Sequence, residues 1–530
     1  VVILLLPGGS GGAHRAARLA RAPATTLAAP PATTAAVEPS TTAAVPPSTT
    51  TTTTIPQPVA APFSSSETSA AVVAENSVPG TRDWMITKLA DHHQIEGYAG
   101  AVSIEKSSSV QLFVSTNSPT WQVQAFRMGW YAGMLGRLVW SQADIPGAVQ
   151  PACPLQPGLN MVSCNWSNPL TVGTIGWPPG TYLLKLQSAA GWQSYVPLTI
   201  RDDLSPSAYL VNDSVTTWEA YNQYGGYDLY EGPTGSLATR SRAVSFDRPY
   251  AVSTGGGDGS ADFLGLELPM ISMMESHGLD VSYTTDVDVS TNPSLLADHS
   301  AFISLGHDEY YSLSMYQGLL TARNKGVNLV FLGANAVYRH IRLQPSALGP
   351  SRVEVDYKDA AADPLLGKDN ADVTAWSWRA PPTNKPESAL IGEMWECNPV
   401  SADMVITDPG AWVFDGTGLV HGSRIPGIVG PEYDHYTPSQ PNPGDVTVLA
   451  GSPVDCNGRH STADMTYYSN PTSNAGVWAT GTIDWVGKVA GSCQICAAPN
   501  AVTRVTQNVL SAFGTGPAGL VHPSVANTVS

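Results

Sequence analysis

The sequence predicts a doubly wound, mainly parallel α/β sheet over residues 205–515, preceded by an all-β sandwich over residues 77–204. Three observations carry this reading. The 530 residues exceed what one hydrophobic core usually serves. Runs such as "AVSIEKSSSVQLFVSTNS", "WQVQAFRMGWY" and "GTYLLKLQSAAGWQSYVPLTIRD" alternate apolar and polar residues between Gly, Pro and Asn turn signals, the pattern of a half-buried strand in a sandwich. From Ser205 onward the rhythm becomes strands alternating with helical spacing, which is how a parallel sheet with crossover helices reads.

Taken in order, the chain opens on "VVILLLPGGS", and residues 1–22 read either as the end of a truncated signal segment or as a start-site artefact. Residues 23–76 are rich in Ala, Thr and Pro and carry almost no charge, so they cannot bury a core and read as an extended, disordered spacer of the cell-wall or surface type. The sandwich of residues 77–204, expected to be immunoglobulin-like, presents no cluster of titratable groups and reads as a support or binding module. In the second part, "SAYLVND", "RAVSFDRPYA", "LDVSYTTDVD", "AFISLG" and "VNLVFLGANA" read as strands. "ADFLGLELPMISMMESHG" and "SLSMYQGLLTARNKG" read as helices, the latter with Ser312 as N-cap and Gly326 as the residue after its end. Residues 516–530 form a tail.

A formal charge of -17 and a pI near 4.9 argue against a nucleic-acid binder, which needs clustered Lys and Arg to neutralise phosphates. No stretch reaches the roughly 18 apolar residues that would span a bilayer. Six cysteines suggest disulfides. Adjacency pairs Cys153 with Cys164 and Cys493 with Cys496, leaving Cys397 with Cys456. Only one CxxC is present, so a thiolate zinc site lacks its second half, and it does not open a helix of a βαβ unit as a thioredoxin site would. There is no G-x-S-x-G elbow, and the Gly-rich "STGGGDGSAD" lacks the lysine of a phosphate loop.

Oxygen and imidazole groups remain. His307, Asp308, Glu309, Tyr310 and Tyr311 follow the strand "AFISLG"; Tyr338, Arg339 and His340 follow the next strand; Glu432 to Tyr436 stand in "GPEYDHY". In open α/β sheets ligands sit beyond the carboxyl ends of strands, so the first two clusters fall where a site belongs. Each group also has an ordinary reading, since Tyr and His satisfy their polar tips at many surfaces. His307 fits either proton transfer or fixing the turn, and Asp308 either proton transfer or capping backbone amides. Asp464 and Asn335 are weaker candidates. Trp218, Tyr221, Asn222 and Tyr230 either wall a pocket or pack a long loop.

The blocks "FRMGWYAGMLGRLV", "TTWEAYNQYGGYDLY", "SFDRPY", "GHDEYYSLSMYQGLLTARNKGVNLVFLGANAVYRHIRL", "GPEYD" and "GVWATGTIDWVGKV" together resemble the large (beta) subunit family of N,N-dimethylformamidase, chiefly its C-terminal domain, over about residues 97–489. The resemblance implies a sheet related to the glutamine-amidotransferase fold and a mononuclear Fe(III) site made by two tyrosines and one glutamate. It carries over to Tyr310, Tyr338 and Glu432 as metal ligands, with His307 and Asp308 as the candidates for proton transfer. Phenolate and carboxylate are hard oxygen donors suited to ferric iron. The family enzyme works with a separate small subunit that this chain does not contain, and Arg339 stands where relatives carry an aromatic.

The resulting expectation is a secreted or cell-surface, metal-dependent hydrolase acting on the C–N bond of a small amide, without an integral membrane segment, with room for cell-wall association and homo-oligomerisation. The alternative is a non-catalytic surface protein that recognises a cell-wall or carbohydrate ligand.

Overall fold

The computed structural model describes residues 63–252, 259–489 and 500–527, so most of the Ala/Thr/Pro tract and the Cys493/Cys496 pair lie outside the described residues. In the first part a three-stranded sheet of Ile95–Ala99, Ser109–Thr116 and Leu170–Gly173 lies against a five-stranded one, which includes Thr120–Met128, Gly180–Ser188 and Gln193–Arg201. Alternation explains the pairing of the layers. In Ser109–Thr116, Val110 and Leu112 are buried while Ser109 and Gln111 face water, and Leu112 shares one core with Val123, Leu184 and Leu198 of the opposite sheet. The tract read as a spacer ends sooner than residue 76, because Ala70–Asn76 is a helix whose Asn76 donates to Glu275 at 3.0 Å.

The second part is built on a seven-stranded sheet. Its strands are β1 (Tyr209–Asp213), β2 (Val281–Thr285), β3 (Ala301–Gly306), β4 (Asn328–Gly333), β5 (Thr447–Cys456), β6 (Arg459–Ser469) and β7 (Gly476–Ala479), in the order β2-β1-β3-β4-β7-β6-β5. The first five of that order are parallel neighbours, and β7-β6 and β6-β5 are antiparallel. Helices α1 (Val215–Tyr221), α2 (Leu268–Ser276), α3 (Leu313–Asn324) and α4 (Ala501–Phe513) accompany it. Ser312 caps α3 by accepting from the Met315 amide at 3.1 Å.

The expected doubly wound α/β fold is not what the chain builds. Of the described residues 34% are strand and 20% helical, distributed over several mixed sheets. The physical reason lies between β4 and β5. Over more than a hundred residues the chain is broken by Pro, Gly, Asp and Asn, and its one α-helix, Ser388–Ile391, is a single turn. It therefore forms short ribbons, Arg339–Ser346 with Gly349–Val355 and Met394–Cys397 with Tyr433–His435, and returns to the sheet through the hairpin β5–β6. The two parts are joined by buried polar contacts: Arg127 of the five-stranded sheet meets Glu275 of α2 at 2.5 Å, and Thr181 and Thr199 donate to Asp213 at the end of β1.

Candidate functional site

Strands β3 and β4 end side by side at Gly306 and Gly333. A Cβ on Gly333 would lie 1.8 Å from the Gly306 carbonyl oxygen, so only glycine lets the two turns run this close. The chain leaving β3 carries His307, Asp308 and Glu309; the chain leaving β4 carries Asn335 and Tyr338. Tyr310–Ser312 then pairs in parallel with Arg339–Ser346, locking the two turns together. Tyr310 begins this short strand and is buried.

Beyond the strand ends lies a narrow cleft bounded by Tyr221, Tyr230, Glu309, Asn335, Tyr338, Arg339, Trp376, Trp395, Asn398 and Glu432. Its least exposed lining residue is Glu309, at 1%. Tyr221, the last residue of α1, donates to Glu309 Oε2 at 2.7 Å; Tyr230 reaches both carboxylate oxygens at 3.0 Å; and the two phenol oxygens are 2.9 Å apart. Arg339 Nε donates to Glu309 Oε1 at 3.0 Å, and the Glu309 amide donates to Thr217 at 2.9 Å. Burial acts to raise the Glu309 carboxyl, but Arg339, His307 and Lys358 together bring it below its ordinary value. Burial and then the Glu309 charge push the phenols of Tyr221 and Tyr230 far up, so each is a proton donor toward the carboxylate.

Glu432 closes the opposite side. The Trp395 indole donates to its Oε2 at 2.6 Å and Asn398 to its Oε1 at 3.0 Å. Burial raises its carboxyl, and Glu309 adds to that. His307 stands beside Glu309: its Nε2 is 3.5 Å from Glu309 Oε2, is buried and makes no hydrogen bond, and its ring stands 5.4 Å from that of Tyr221.

Of the sequence-derived candidates, Tyr338 and Glu432 border the cleft, His307 lies beside Glu309, and Tyr310 stands against the phenol pair, hydrogen-bonded to Tyr230, its ring 6.2 Å from that of Tyr221 and its hydroxyl accepting from Lys358 Nζ at 2.7 Å. Asp308 points into the sheet, where Ser304 and Tyr311 donate to it at 2.7 Å; burial raises its carboxyl to about 6. Asp464 bonds His435 at 2.8 Å, and Trp218 donates to Glu267, both away from the cleft. Tyr221 and Tyr230 do wall the pocket, whereas Asn222 is turned to Glu219 and the Pro249 carbonyl. In the sequence Glu309 stands out only as one member of its cluster, and its place immediately before a tyrosine pair at a strand end is the signal for it.

No group of three or more His, Cys, Asp or Glu that could hold a metal occurs among the described residues. Two phenols and one carboxylate within hydrogen-bond distance of each other, with an unpartnered imidazole nitrogen beside them, have the donor chemistry that a hard trivalent cation requires. The disulfides Cys153–Cys164 and Cys397–Cys456 are both formed, as adjacency suggested.

Among known families, the model described as N,N-dimethylformamidase beta subunit-like, C-terminal, matches residues 122–498. No curated protein matches the chain. A solved structure of a Paenibacillus sp. cycloisomaltooligosaccharide glucanotransferase with cycloisomaltoheptaose is similar at 8% identity, covering 73% of this chain and 68% of that one; its TM-score of 0.16 carries no argument.

Proposed function

Since the chain belongs to the N,N-dimethylformamidase beta subunit-like family, we propose that it hydrolyses the C–N bond of a small amide, with Tyr221, Tyr230 and Glu309 as the ligands of a ferric ion. The observation that carries this reading is the approach of three hard oxygen donors to one another at the floor of the cleft. It supports a ligand set of the same composition as expected, two tyrosines and one glutamate, but on residues other than Tyr310, Tyr338 and Glu432. A bound ferric ion would supply Lewis-acid polarisation of the amide carbonyl.

The remaining work falls to the chain. Glu432, held by Trp395 and Asn398, is placed to take the proton of the attacking water, and its raised carboxyl makes it a better base than an exposed glutamate. His307 Nε2, which makes no hydrogen bond and stands 3.5 Å from Glu309 Oε2, can hold a proton and deliver it to the departing nitrogen. Arg339 keeps Glu309 ionised and, stacked 4.3 Å from the Trp376 ring, fixes one wall. Asp308 serves the turn rather than the proton. The two disulfides support an exported protein, and no helix among the described residues is long and apolar enough to cross a membrane.

Metal analysis and visible spectroscopy test the proposal. Iron at one per chain with a tyrosinate-to-iron band is expected, with the band weakened and shifted in Tyr221→Phe or Tyr230→Phe, lost when both are replaced, and unchanged in Tyr310→Phe and Tyr338→Phe. Protein that stays colourless after loading with Fe(III), or a band that disappears only with Tyr310 or Tyr338, would overturn it. Hydrolysis of formamides, with Glu432→Gln as control, tests the reaction.

A further inference from the structure

We propose that the Tyr338 hydroxyl donates a hydrogen bond to the carbonyl oxygen of the substrate amide, and to the oxyanion that this oxygen becomes when water adds. The inference rests on the amidase reading above and adds a substrate-binding group to it. Tyr338 lies on the turn that leaves β4. That turn has an unusual shape: Val337, a buried β-branched residue, adopts a left-handed φ of 60°, and its amide donates to the Asp308 carbonyl at 3.2 Å. β-branched residues avoid this region, so the turn holds a costly conformation that sets the direction of the next side chain. The Tyr338 ring packs 4.9 Å from the Trp395 indole, the same indole that holds Glu432. The guanidinium carbons of Arg339 and Arg379 stand 4.8 and 5.2 Å from its centre. Two cations over a phenol draw density from the ring and make the O–H a stronger donor.

That donor has no acceptor in the fold. The Tyr338 hydroxyl makes no hydrogen bond among the described residues, and it is not sealed in the interior but opens on the cleft. The other phenols around this space are engaged: Tyr221 and Tyr230 donate to Glu309, and Tyr310 accepts from Lys358. A phenol keeps its proton at neutral pH, and burial raises that of Tyr338 further. Its partner must therefore be an acceptor brought in by the ligand. A fully N-substituted amide has no N–H and a delocalised nitrogen lone pair, so its carbonyl oxygen is its one good hydrogen-bonding atom. That oxygen has two lone pairs, and a bond from Tyr338 leaves one free for the polarisation described above. As water adds to the carbonyl carbon, the C=O π pair moves onto the oxygen. The bond from Tyr338 strengthens with that charge, so it acts more on the transition state than on the bound substrate.

The test compares the iron-loaded full chain with Tyr338→Phe, which keeps the ring and its contacts and removes only the hydroxyl. For N,N-dimethylformamide the expected result is a fall in kcat of about a hundredfold with little change in KM. N,N-dimethylthioformamide, whose sulfur accepts poorly, should be slowed far less by the same replacement. The tyrosinate-to-iron band, the iron content and Tm should stay as in the wild type. An unchanged kcat, or an equal slowing of the oxo- and thioamide, overturns the proposal. So does a variant that loses the band, which makes Tyr338 a ligand, or one that loses Tm or fails to fold, which gives the hydroxyl to the fold. If no amide is hydrolysed, the amidase reading falls, and infrared spectroscopy of carbonyl-labelled N,N-dimethylacetamide mixed with the protein decides the contact by itself. A bound carbonyl band at lower frequency in the wild type than in Tyr338→Phe is expected. One frequency in both proteins, or no bound band, overturns the proposal as well.

Discussion

Glu309 accepts from two phenols and a guanidinium while almost wholly enclosed, so its charge is essential to its neighbours. Glu309→Gln leaves Arg339 buried without a counter-charge, at a cost of about 3–5 kcal/mol. The expected outcome is a lower Tm by calorimetry together with a fall in kcat/KM of roughly a hundredfold or more. A second residue-scale effect lies behind the site at Asp213, where burial is the largest influence and raises the carboxyl from 3.8 to about 6 despite donation by Thr199 and Thr181. Between those two values the folded chain keeps a proton that the unfolded chain has released. Stability from this group is therefore full below about pH 4 and is lost as pH rises through 6, at roughly 1.4 kcal/mol per unit. Asp213→Asn should flatten that part of the Tm-against-pH curve; an unchanged slope would contradict the assignment. Local sequence exposed His307 and its neighbours because they follow a strand, yet Tyr221 and Tyr230 stand 88 and 79 positions from Glu309. Spacing says which way a residue faces within its element and not which distant oxygen it will meet.

Among the elements, the ribbon of Met394–Cys397 with Tyr433–His435 governs the acid side of the cleft, since Trp395 lies on it and Glu432 precedes its second strand. Its end is tied by Cys397–Cys456, and the next residue, Asn398, holds Glu432 Oε1. Replacing both cysteines by serine should lower Tm, a native disulfide contributing about 2–4 kcal/mol, and should lower kcat/KM by loosening Asn398. The same double replacement at Cys153 and Cys164, away from the cleft, should lower Tm alone. The elements most legible in the sequence were those with strong periodicity and end signals: β3, β4 and α3 all lie where the apolar runs and the Ser312 cap put them. Tyr310–Ser312 was not legible, because a three-residue strand is defined by its partner, Arg339–Ser346, and carries no pattern of its own. Nor was the π-helical turn Phe263–Glu267 inside the helical stretch before α2, which spacing reads as continuous helix.

For the whole molecule, the parallel core of the large sheet was visible as buried apolar runs, but the overall class was not. Strand–helix alternation holds only as far as β4, and the irregular segment beyond it has no periodicity from which ribbons and a closing hairpin could be inferred. The junction between the two parts makes a further prediction. Arg127 and Glu275 are both nearly inaccessible, with Tyr131 and Tyr283 completing their hydrogen bonds. Arg127→Met should destabilise by about 3–5 kcal/mol, and adding Glu275→Leu should recover most of that, because an apolar pair leaves no orphaned charge. Calorimetry of the two variants checks it. The same pair also bears on the order of synthesis. Arg127 leaves the ribosome well before Glu275, and at roughly 5–20 residues per second the first part waits several seconds with a cation in what will become its interior. A chain stopped near residue 204 never receives its carboxylate and should be markedly more prone to aggregation than the full-length protein.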